Sequence, residues 1–196
     1  MSKFISISLV LVCCTLASVS QTDNSTLKEC NISTGIGFAG APKNMKSVGK
    51  DFWLQMDYRL IEHFSIALEF ENFAYKQVGY FDNLPEKYAN EINVLNNNFS
   101  LLVKYHVTSK GKLKIVFASG WTYSIRHNDY FQPPYNSGSQ VWPQSVTSFS
   151  DYRIPFLVEA SHPVSKMLHL LARAKYNVNP QNGNNYSAGI GLSLKL

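Results

Sequence analysis

Residues 186–196 read Tyr-Ser-Ala-Gly-Ile-Gly-Leu-Ser-Leu-Lys-Leu, and this stretch decides the fold. Apolar or aromatic residues alternate strictly with small or polar ones, which is the period of a β-strand with one apolar face. A strand of about ten residues is long enough to cross a bilayer at a tilt. The pattern continues to the last residue of the sequence, so we expect the chain to end inside a sheet.

Seven further segments repeat this alternation, which gives eight predicted strands. Their approximate bounds are 31–41, 51–60, 64–78, 97–107, 113–123, 149–160, 168–177 and 186–196. Short connections (61–63, 108–111, 161–166) alternate with long ones (42–49, 79–93, 126–147, 179–184). This pattern is typical of an antiparallel up-and-down transmembrane β-barrel, with tight turns in the periplasm and long loops outside. The first strand must then pair with the last, because backbone groups in lipid have to be hydrogen-bonded within the protein.

The composition agrees with a barrel whose apolar face points outward into lipid. Only 16% of the residues are charged and 13% are aromatic, whereas about 25% of a soluble domain is charged. The polar face is rich in Gly, Ser, Ala and Asn, as expected of a packed lumen, and aromatic residues cluster toward the strand ends of the apolar face. A net charge of +5 without a run of like charge does not support nucleic-acid binding. The alternative architecture is a secreted, soluble, lipocalin-like ligand-binding barrel with the apolar face inward.

The first residues are typical of a secretory signal. Lys3 precedes an apolar core at 4–16 that is too short to span a bilayer as a helix, and small residues follow at Ser18 and Ser20. We therefore predict a removed signal peptide at 1–20, a flexible lead-in at 21–30 and a barrel at 31–196. Cys30 is then the single cysteine of the mature chain, which excludes an intrachain disulfide.

Two features of the strands predict local structure. Glycine is dense in the first strand, and we expect it to make room for larger side chains opposite in a narrow barrel. Pro155 lies within the sixth strand, where it predicts a bulge or a missing ladder hydrogen bond.

Over the whole mature chain, the pattern resembles the small outer-membrane β-barrel family that contains the OmpA transmembrane domain, OmpX and OmpW. The most specific part is Ser187, Gly189, Leu192 and Leu194, which is similar to the last-strand signal read by barrel-assembly machinery. Leu196 departs from the Phe or Trp with which many such barrels end. The resemblance implies the outer membrane of a Gram-negative-type bacterium, with membrane lipid, lipopolysaccharide and the assembly machinery as partners. We expect a monomer with an unknown surface partner and without a cofactor, metal or nucleic acid.

Charged residues on the predicted inner face include both signs, as a paired network in a narrow core requires. The predicted lumen network consists of Arg59, Glu69, Glu71, Arg153, Glu159, His169 and Arg173. If the sixth and seventh strands pair through their short turn, Glu159 lies near His169 and Arg153 near Lys175. The latter pair then needs a carboxylate, from Asp151 or from the third strand. The interior of an eight-stranded barrel is usually filled by side chains, so we favour a plugged lumen over an ion path.

Two further sets of residues suggest possible activities. Ser124, His127 and Asp129 resemble the parts of a catalytic triad, and a lipid A-modifying barrel enzyme (deacylase or acyltransferase) is the alternative function. Such residues occur close together by chance, and a triad requires geometry, so no enzyme is expected. The aromatic loop with Tyr130, Phe131 and Tyr135 is the candidate partner-binding surface, unless it packs on its own aromatics. The favoured function is a structural or surface-interaction barrel that displays long extracellular loops.

Overall fold

The computed structural model describes residues 29–40, 45–79, 90–107, 113–131, 144–180 and 183–196. Side chains at 45–47, 77–79, 90–91, 130–131 and 144–145 lie outside this description. So do the predicted signal peptide and most of the predicted lead-in. In the described part of the chain, no helix has the length and apolar character needed to cross a membrane.

Eight antiparallel strands form one closed barrel in sequence order, as predicted. The strands are β1 (Cys30–Gly40), β2 (Met45–Ile61), β3 (Phe64–Gly79), β4 (Asn90–Val107), β5 (Lys114–Phe131), β6 (Gln144–Pro163), β7 (Leu168–Val178) and β8 (Asn185–Lys195). The barrel closes where β1 pairs with β8, with Gly35 opposite Gly191. One more hydrogen bond, from the Leu196 backbone nitrogen to the Cys30 carbonyl at 2.9 Å, extends this seam.

The apolar face of the strands points outward. Trp121, Tyr152 and Ile190 are 67%, 69% and 64% exposed, and Leu101 is 51% exposed. The alternate positions, such as Glu71 and Ser100, are buried inside the barrel. A continuous apolar surface of this kind is unstable in water and stable in lipid. The structure therefore confirms the transmembrane barrel and contradicts the lipocalin-like alternative, in which the apolar face would point inward.

Four strands are longer than the sequence predicts. β2 begins at Met45, β4 begins at Asn90, β5 ends at Phe131, and β6 runs from Gln144 to Pro163. The predicted loops 42–49, 79–93 and 126–147 were therefore wrong in part, because much of each is strand. β5 and β6 have 18 and 20 residues, whereas β1, β7 and β8 have 11 each. Seven extra residues correspond to about 20 Å of strand, so the β3–β4 and β5–β6 hairpins protrude beyond the rest of the barrel.

The outer face changes character where these hairpins leave the wall. Aromatic pairs mark the edge: the Phe70 and Phe99 ring centroids are 5.2 Å apart, and those of Tyr123 and Tyr152 are 5.4 Å apart. Two residues further along β3, the outer face is polar, and the Asn72 side chain donates to Asn97 on β4 at 2.7 Å. The aromatic pairs correspond to an interfacial girdle, and the hairpins beyond them present a polar surface to water.

The interior of the protruding part contains an apolar cluster. Phe73, Tyr75 and Val94 are buried together with Ala39, and the Phe73 and Tyr75 rings stack at 6.0 Å. Inside and outside have thus exchanged character relative to the membrane-spanning part. This exchange explains why the predicted strands were too short. At the girdle the apolar residues change from the outer face to the inner face, and no alternation is visible in Asn96, Asn97 and Asn98.

Pro155 interrupts the pairing of β5 with β6. The register continues unchanged from Ser119–Phe156 to Thr122–Arg153, but the two intervening pairs are missing from the ladder. Proline lacks the backbone N–H that a ladder bond needs. The predicted gap at Pro155 is confirmed.

Glycines of the two closing strands make room for Trp53, and for β1 this confirms the expectation that its glycines leave space for larger side chains. The Trp53 side chain is fully buried in the lumen. A Cβ atom placed on Gly35 would lie 2.4 Å from Trp53 Cζ2, and one placed on Gly191 would lie 2.7 Å from the same atom. The same Cβ atoms would also lie 2.4 Å from the Ile190 carbonyl oxygen and 2.2 Å from the Thr34 carbonyl oxygen, respectively. Real Cβ atoms do not approach so closely, so the indole ring and the backbone of the paired strand together require glycine at both positions.

We expect Gly35→Ala to lower the free energy of unfolding by about 1–3 kcal/mol, because the added methyl group overpacks the lumen. Urea unfolding followed by tryptophan fluorescence measures this. Ser33→Ala, on the same strand and face, is the matched control and should cost less than Gly35→Ala, because it removes an atom from the lumen and adds none. Trp53→Leu should reduce the cost of Gly35→Ala, and an unchanged cost in that background would show that Trp53 is not the obstacle.

Candidate functional site in the barrel lumen

The inner face of the membrane-spanning part is lined by buried polar and charged side chains. Strand alternation directs them inward from all sides of the barrel. They include Asp51, Gln55, Asp57, Glu69, Glu71, Asn98, Ser100, Lys104, Arg153, Glu159, Arg173 and Lys175.

Four side chains, Glu69, Glu71, Arg173 and Lys175, form a central ion cluster across the lumen. Lys175 Nζ lies 2.5 Å from Glu69 Oε1 and 2.9 Å from Glu71 Oε2. Arg173 contacts both carboxylates as well, and its Nη2 is 2.7 Å from Glu71 Oε1. All four side chains are fully inaccessible to solvent. The cluster joins β3 to β7, which are not neighbours in the sheet, and it fills the middle of the barrel.

Neighbouring groups add hydrogen bonds to this cluster, although Arg173 Nε has no partner among the described residues. Ser187 Oγ and Asn98 Nδ2 donate to Glu71 at 2.7 and 3.0 Å. Lys175 also donates to Ser100 Oγ at 3.2 Å, and the Arg173 guanidinium lies 4.2 Å from the Trp53 ring centroid. Buried ions are stable only when they are paired and hydrogen-bonded in this way.

A second group, the Lys104 cluster, lies toward the short turns. Lys104 Nζ is 2.9 Å from Asp57 Oδ2 and also contacts Glu159. When the Gln55 amide is oriented with its nitrogen toward the carboxylates, it donates to Glu159 at 3.0 Å and to Glu69 at 3.2 Å. Gln55 therefore connects the Lys104 cluster to the central ion cluster, and one polar network extends through much of the lumen.

Two further ion pairs lie at the end of the barrel that carries the 62–63 and 164–167 connections, here called the short-turn end. Lys195 Nζ lies 2.5 Å from Glu29 Oε1, and Arg59 Nη1 lies 3.4 Å from Glu29 Oε2. Partial burial acts to raise the pKa of Glu29, but the hydrogen bonds and positive charges of Lys195 and Arg59 outweigh it and lower that pKa. Glu29 thus holds the ends of β8 and β2 together beside the β1 seam.

Comparison with known proteins identifies the fold. No family model and no curated protein matches the sequence. Among solved structures, the outer membrane protein OprG from Pseudomonas aeruginosa matches with a TM-score of 0.61 at 8% identity, covering 88% of this chain and 98% of that one. The fold is that of a small outer-membrane β-barrel.

Two other outer-membrane barrels support this result. Ail, the attachment invasion locus protein of Yersinia pestis, solved with the heparin analogue sucrose octasulfate, has a TM-score of 0.58 at 9% identity, covering 86% of this chain and 99% of that one. Neisserial surface protein A has a TM-score of 0.54 at 15% identity, covering 86% and 96%. The lipid-facing wall and the shared fold indicate that this barrel spans an outer membrane. In such barrels the short turns face the periplasm, and long loops lie outside the cell.

Most residues of the predicted lumen network point into the lumen of this outer-membrane barrel. Glu69, Glu71 and Arg173 belong to the central ion cluster, Glu159 to the Lys104 cluster, and Arg59 to the pair with Glu29. The sequence prediction omitted Trp53, Gln55, Asn98 and Ser100 as participants. The strand pattern showed that these side chains point inward. It did not show their partners, because those lie on other strands.

The predicted pairing of β6 with β7 was wrong. Glu159 pairs with Arg173, four residues beyond His169, and His169 faces Pro163. The reason is that β6 continues to Pro163, which leaves a connection of only four residues, 164–167. Lys175 pairs with Leu157, and its carboxylate partners come from β3. Arg153 pairs instead with Asp151 on its own strand, Nε to Oδ1, at 2.8 Å.

The three residues of the suggested triad do not converge. Ser124 is buried in the lumen, and its Oγ atom has no hydrogen-bond partner among the described residues. His127 lies three positions further along β5, on the opposite face, where its Nδ1 is 2.7 Å from Ser148 Oγ on β6. Asp129 shares the face of His127. The wall of the barrel therefore separates Ser124 from His127.

The aromatic segment that the sequence predicts as a partner-binding surface lies at the far end of the β5–β6 hairpin. Tyr130 and Phe131 are the last residues of β5, while Tyr135 lies outside the described residues. Among the described residues, no group of three or more His, Cys, Asp or Glu side chains is arranged to hold a metal ion.

Proposed function

We propose that this outer-membrane barrel is a closed, non-enzymatic scaffold that presents its protruding hairpins and loops to a partner at the cell surface. The observation that carries this proposal is the central ion cluster, whose four fully buried side chains occupy the middle of the lumen. An eight-stranded barrel has an interior just wide enough for side chains. A lumen filled in this way favours a structural role over transport.

The protruding hairpins supply the second support. The β3–β4 and β5–β6 hairpins extend past the aromatic girdle, with a polar outer surface and an apolar interior of Phe73, Tyr75 and Val94. Such a core stabilises the hairpins without help from lipid. The aromatic segment that includes Tyr130 and Phe131 is thereby held away from the membrane, where a partner can reach it.

Planar-bilayer recording tests whether the lumen is closed. We expect the folded protein to give no steady conductance in symmetrical KCl, because the central ion cluster blocks the path. The double variant Glu69→Ala/Lys175→Ala, with the cluster partly removed, serves as the positive control and should leak. Discrete, reproducible conductance steps from the unmodified protein would contradict a closed scaffold.

Lipid A analysis tests the non-enzymatic part of the proposal. We expect His127→Ala to leave the acyl pattern of lipid A unchanged in cells that express the barrel, because His127 and Ser124 lie on opposite faces of β5. Ser148→Ala, which removes the hydrogen-bond partner of His127, is the matched control. Loss of an acyl modification in the His127 variant alone would identify an enzyme.

Cell adhesion tests the surface role. Bacteria that display Tyr130→Ala/Phe131→Ala should lose adhesion to surfaces that bacteria with the unmodified barrel bind. The variant barrel should still fold, as shown by different migration on gels before and after boiling. Leu95→Ala, on the outer face of the β3–β4 hairpin, is the control for a change elsewhere on the protruding surface. Equal adhesion of all three strains would rule out the aromatic segment as the contact.

A further inference from the structure

The short-turn end of the barrel contains a cavity of about 70 Å³ inside the ring of strands. Side chains from every strand except β3 line it. One water molecule needs about 10–15 Å³ of such volume. The cavity therefore has room for several waters or for one small polyatomic ion.

The charges around this cavity are unequal. Four cationic side chains (Arg59, Lys104, Lys114 and Lys195) and three carboxylates (Glu29, Asp57 and Glu159) line it. Glu29 is paired with Lys195 and Arg59, while Asp57 and Glu159 are paired with Lys104. All three carboxylates are thus engaged by other cations. The Lys114 ammonium has no ion-pair or hydrogen-bond partner among the described residues.

Lys114 begins a row of hydrogen-bond donors along one side of the cavity. Its Cα partner on β6 is Ser161, and Ser193 on β8 is the Cα partner of His169 on β7. Ser161 pairs with Leu171 on β7. His169 lies two residues before Leu171 on the same face, so it is the diagonal neighbour of Ser161. Diagonal neighbours on one face lie about 7–8 Å apart. The four side chains form one continuous strip of the cavity wall, which we call the Lys114 row.

We propose that the Lys114 row, comprising Lys114, Ser161, His169 and Ser193, binds a small soluble oxyanion of the phosphate type. The row supplies an uncompensated positive charge, two hydroxyl groups and an imidazole, and it contains no carboxylate. Charged donors and hydroxyl groups are the usual ligands of tetrahedral oxyanions. Each neighbouring carboxylate already contacts a cation of its own surroundings, which weakens its repulsion of an incoming anion.

The position of the cavity favours a soluble anion over a lipid headgroup. The row faces the inside of the ring of strands, whereas headgroups surround the outer wall. The cavity is at the end that meets the periplasm. Anions in the periplasmic water therefore reach it without crossing the barrel wall.

Nuclear magnetic resonance of the folded, full mature chain in a zwitterionic, phosphate-free detergent tests this proposal. Sodium phosphate is titrated against sodium chloride at matched ionic strength. We expect saturable shifts of the backbone amide signals of residues 114, 161, 169 and 193 with phosphate, and none at Asn96 or Asn98. Shifts that do not saturate, or that chloride reproduces, would overturn the proposal.

Two lysine variants separate a defined site from general charge attraction. Lys114→Gln should weaken phosphate binding about tenfold, since it removes the unpaired charge next to the anion. Lys50→Gln, an exposed lysine of β2 that pairs with Phe38 far from the short turns, should leave the affinity unchanged. An unchanged affinity in Lys114→Gln, or an equal loss in Lys50→Gln, would overturn the site. Both variants change exposed side chains, and a boiled-against-unboiled gel shift verifies that they fold.

A lipid comparison identifies the source of the anion. The barrel is placed in nanodiscs of phosphatidylcholine, with and without phosphatidylglycerol, before phosphate is added. We expect phosphatidylglycerol alone to leave the four amide signals unmoved. If it reproduces the phosphate-induced shifts, and Lys114→Gln abolishes them, the row binds a lipid headgroup and the soluble-anion proposal is wrong.

Discussion

Lys175→Met should lower the free energy of unfolding by about 3–5 kcal/mol, since it removes one partner from a buried ion network. Lys175 contacts both carboxylates of the central ion cluster and donates to Ser100. Without it, Arg173 alone must compensate Glu69 and Glu71, while Asp51 lies 3.5 Å from the same guanidinium. Methionine fills a similar volume but leaves buried negative charge unpaired. Equilibrium unfolding in detergent micelles, followed by tryptophan fluorescence, measures the change.

Two further variants make this experiment decisive. Lys166→Met removes an exposed lysine in the 164–167 connection and should cost less than about 0.5 kcal/mol. Glu69→Gln, combined with Lys175→Met, removes the surplus negative charge and should recover about 0.5–3 kcal/mol of the loss through coupling of the two sites. If Lys175→Met costs no more than Lys166→Met, the buried network does not stabilise the barrel.

Leu101→Arg should lower the free energy of unfolding by about 2–4 kcal/mol, because it places a guanidinium against the lipid core. Leu101 points outward from β4 and is 51% exposed on the barrel surface. Its cross-strand partners are Leu68 and Trp121, which are also apolar and outward. Unfolding of the barrel reconstituted in phosphatidylcholine vesicles, with urea and a cold gel-mobility readout, gives the free energy.

A matched arginine beyond the girdle provides the control. Ser150→Arg lies on the exposed outer face of β6, two residues past Tyr152, and should cost about 0–1 kcal/mol near the interface. Ser100→Ala is not a neutral control, because Ser100 Oγ is 2.8 Å from Thr122 Oγ1 and accepts a hydrogen bond from Lys175. Equal costs for the two arginine variants would contradict the assignment of Leu101 to the middle of the membrane.

The sequence indicated correctly which residues face lipid and which face the lumen. Phe52, Leu101 and Ile190 point outward, and Glu69 and Arg173 point inward, because strand alternation is a local property with a period of two residues. The gap at Pro155 and the space left by the glycines of β1 were predictable from single residues. Each follows from the backbone chemistry of one residue type.

Register was not available from the same pattern. The observed partner of Glu159 is Arg173 rather than His169, and a shift by four residues leaves every side chain on its original face. Alternation cannot distinguish such registers, because they differ by an even number of residues. The length of the β6–β7 connection and the packing inside the barrel select one of them.

The lengths of β4, β5 and β6 were underestimated because the criterion of an apolar outer face applies only within lipid. Beyond Phe70 and Phe99 the outer face is polar and the inner face is apolar. The same physical rule, burial of apolar surface, produces opposite patterns in the two solvents.

The sequence by itself determined that this chain is an eight-stranded membrane barrel with a polar interior, since alternation, strand number and connection lengths are properties of local sequence. Only the tertiary structure decided the partners inside the lumen. Lys175 and Glu69 are 106 residues apart and meet across the barrel, as a consequence of closure and register. Charge pairing in a narrow lumen depends on distance in space, which a one-dimensional pattern does not contain.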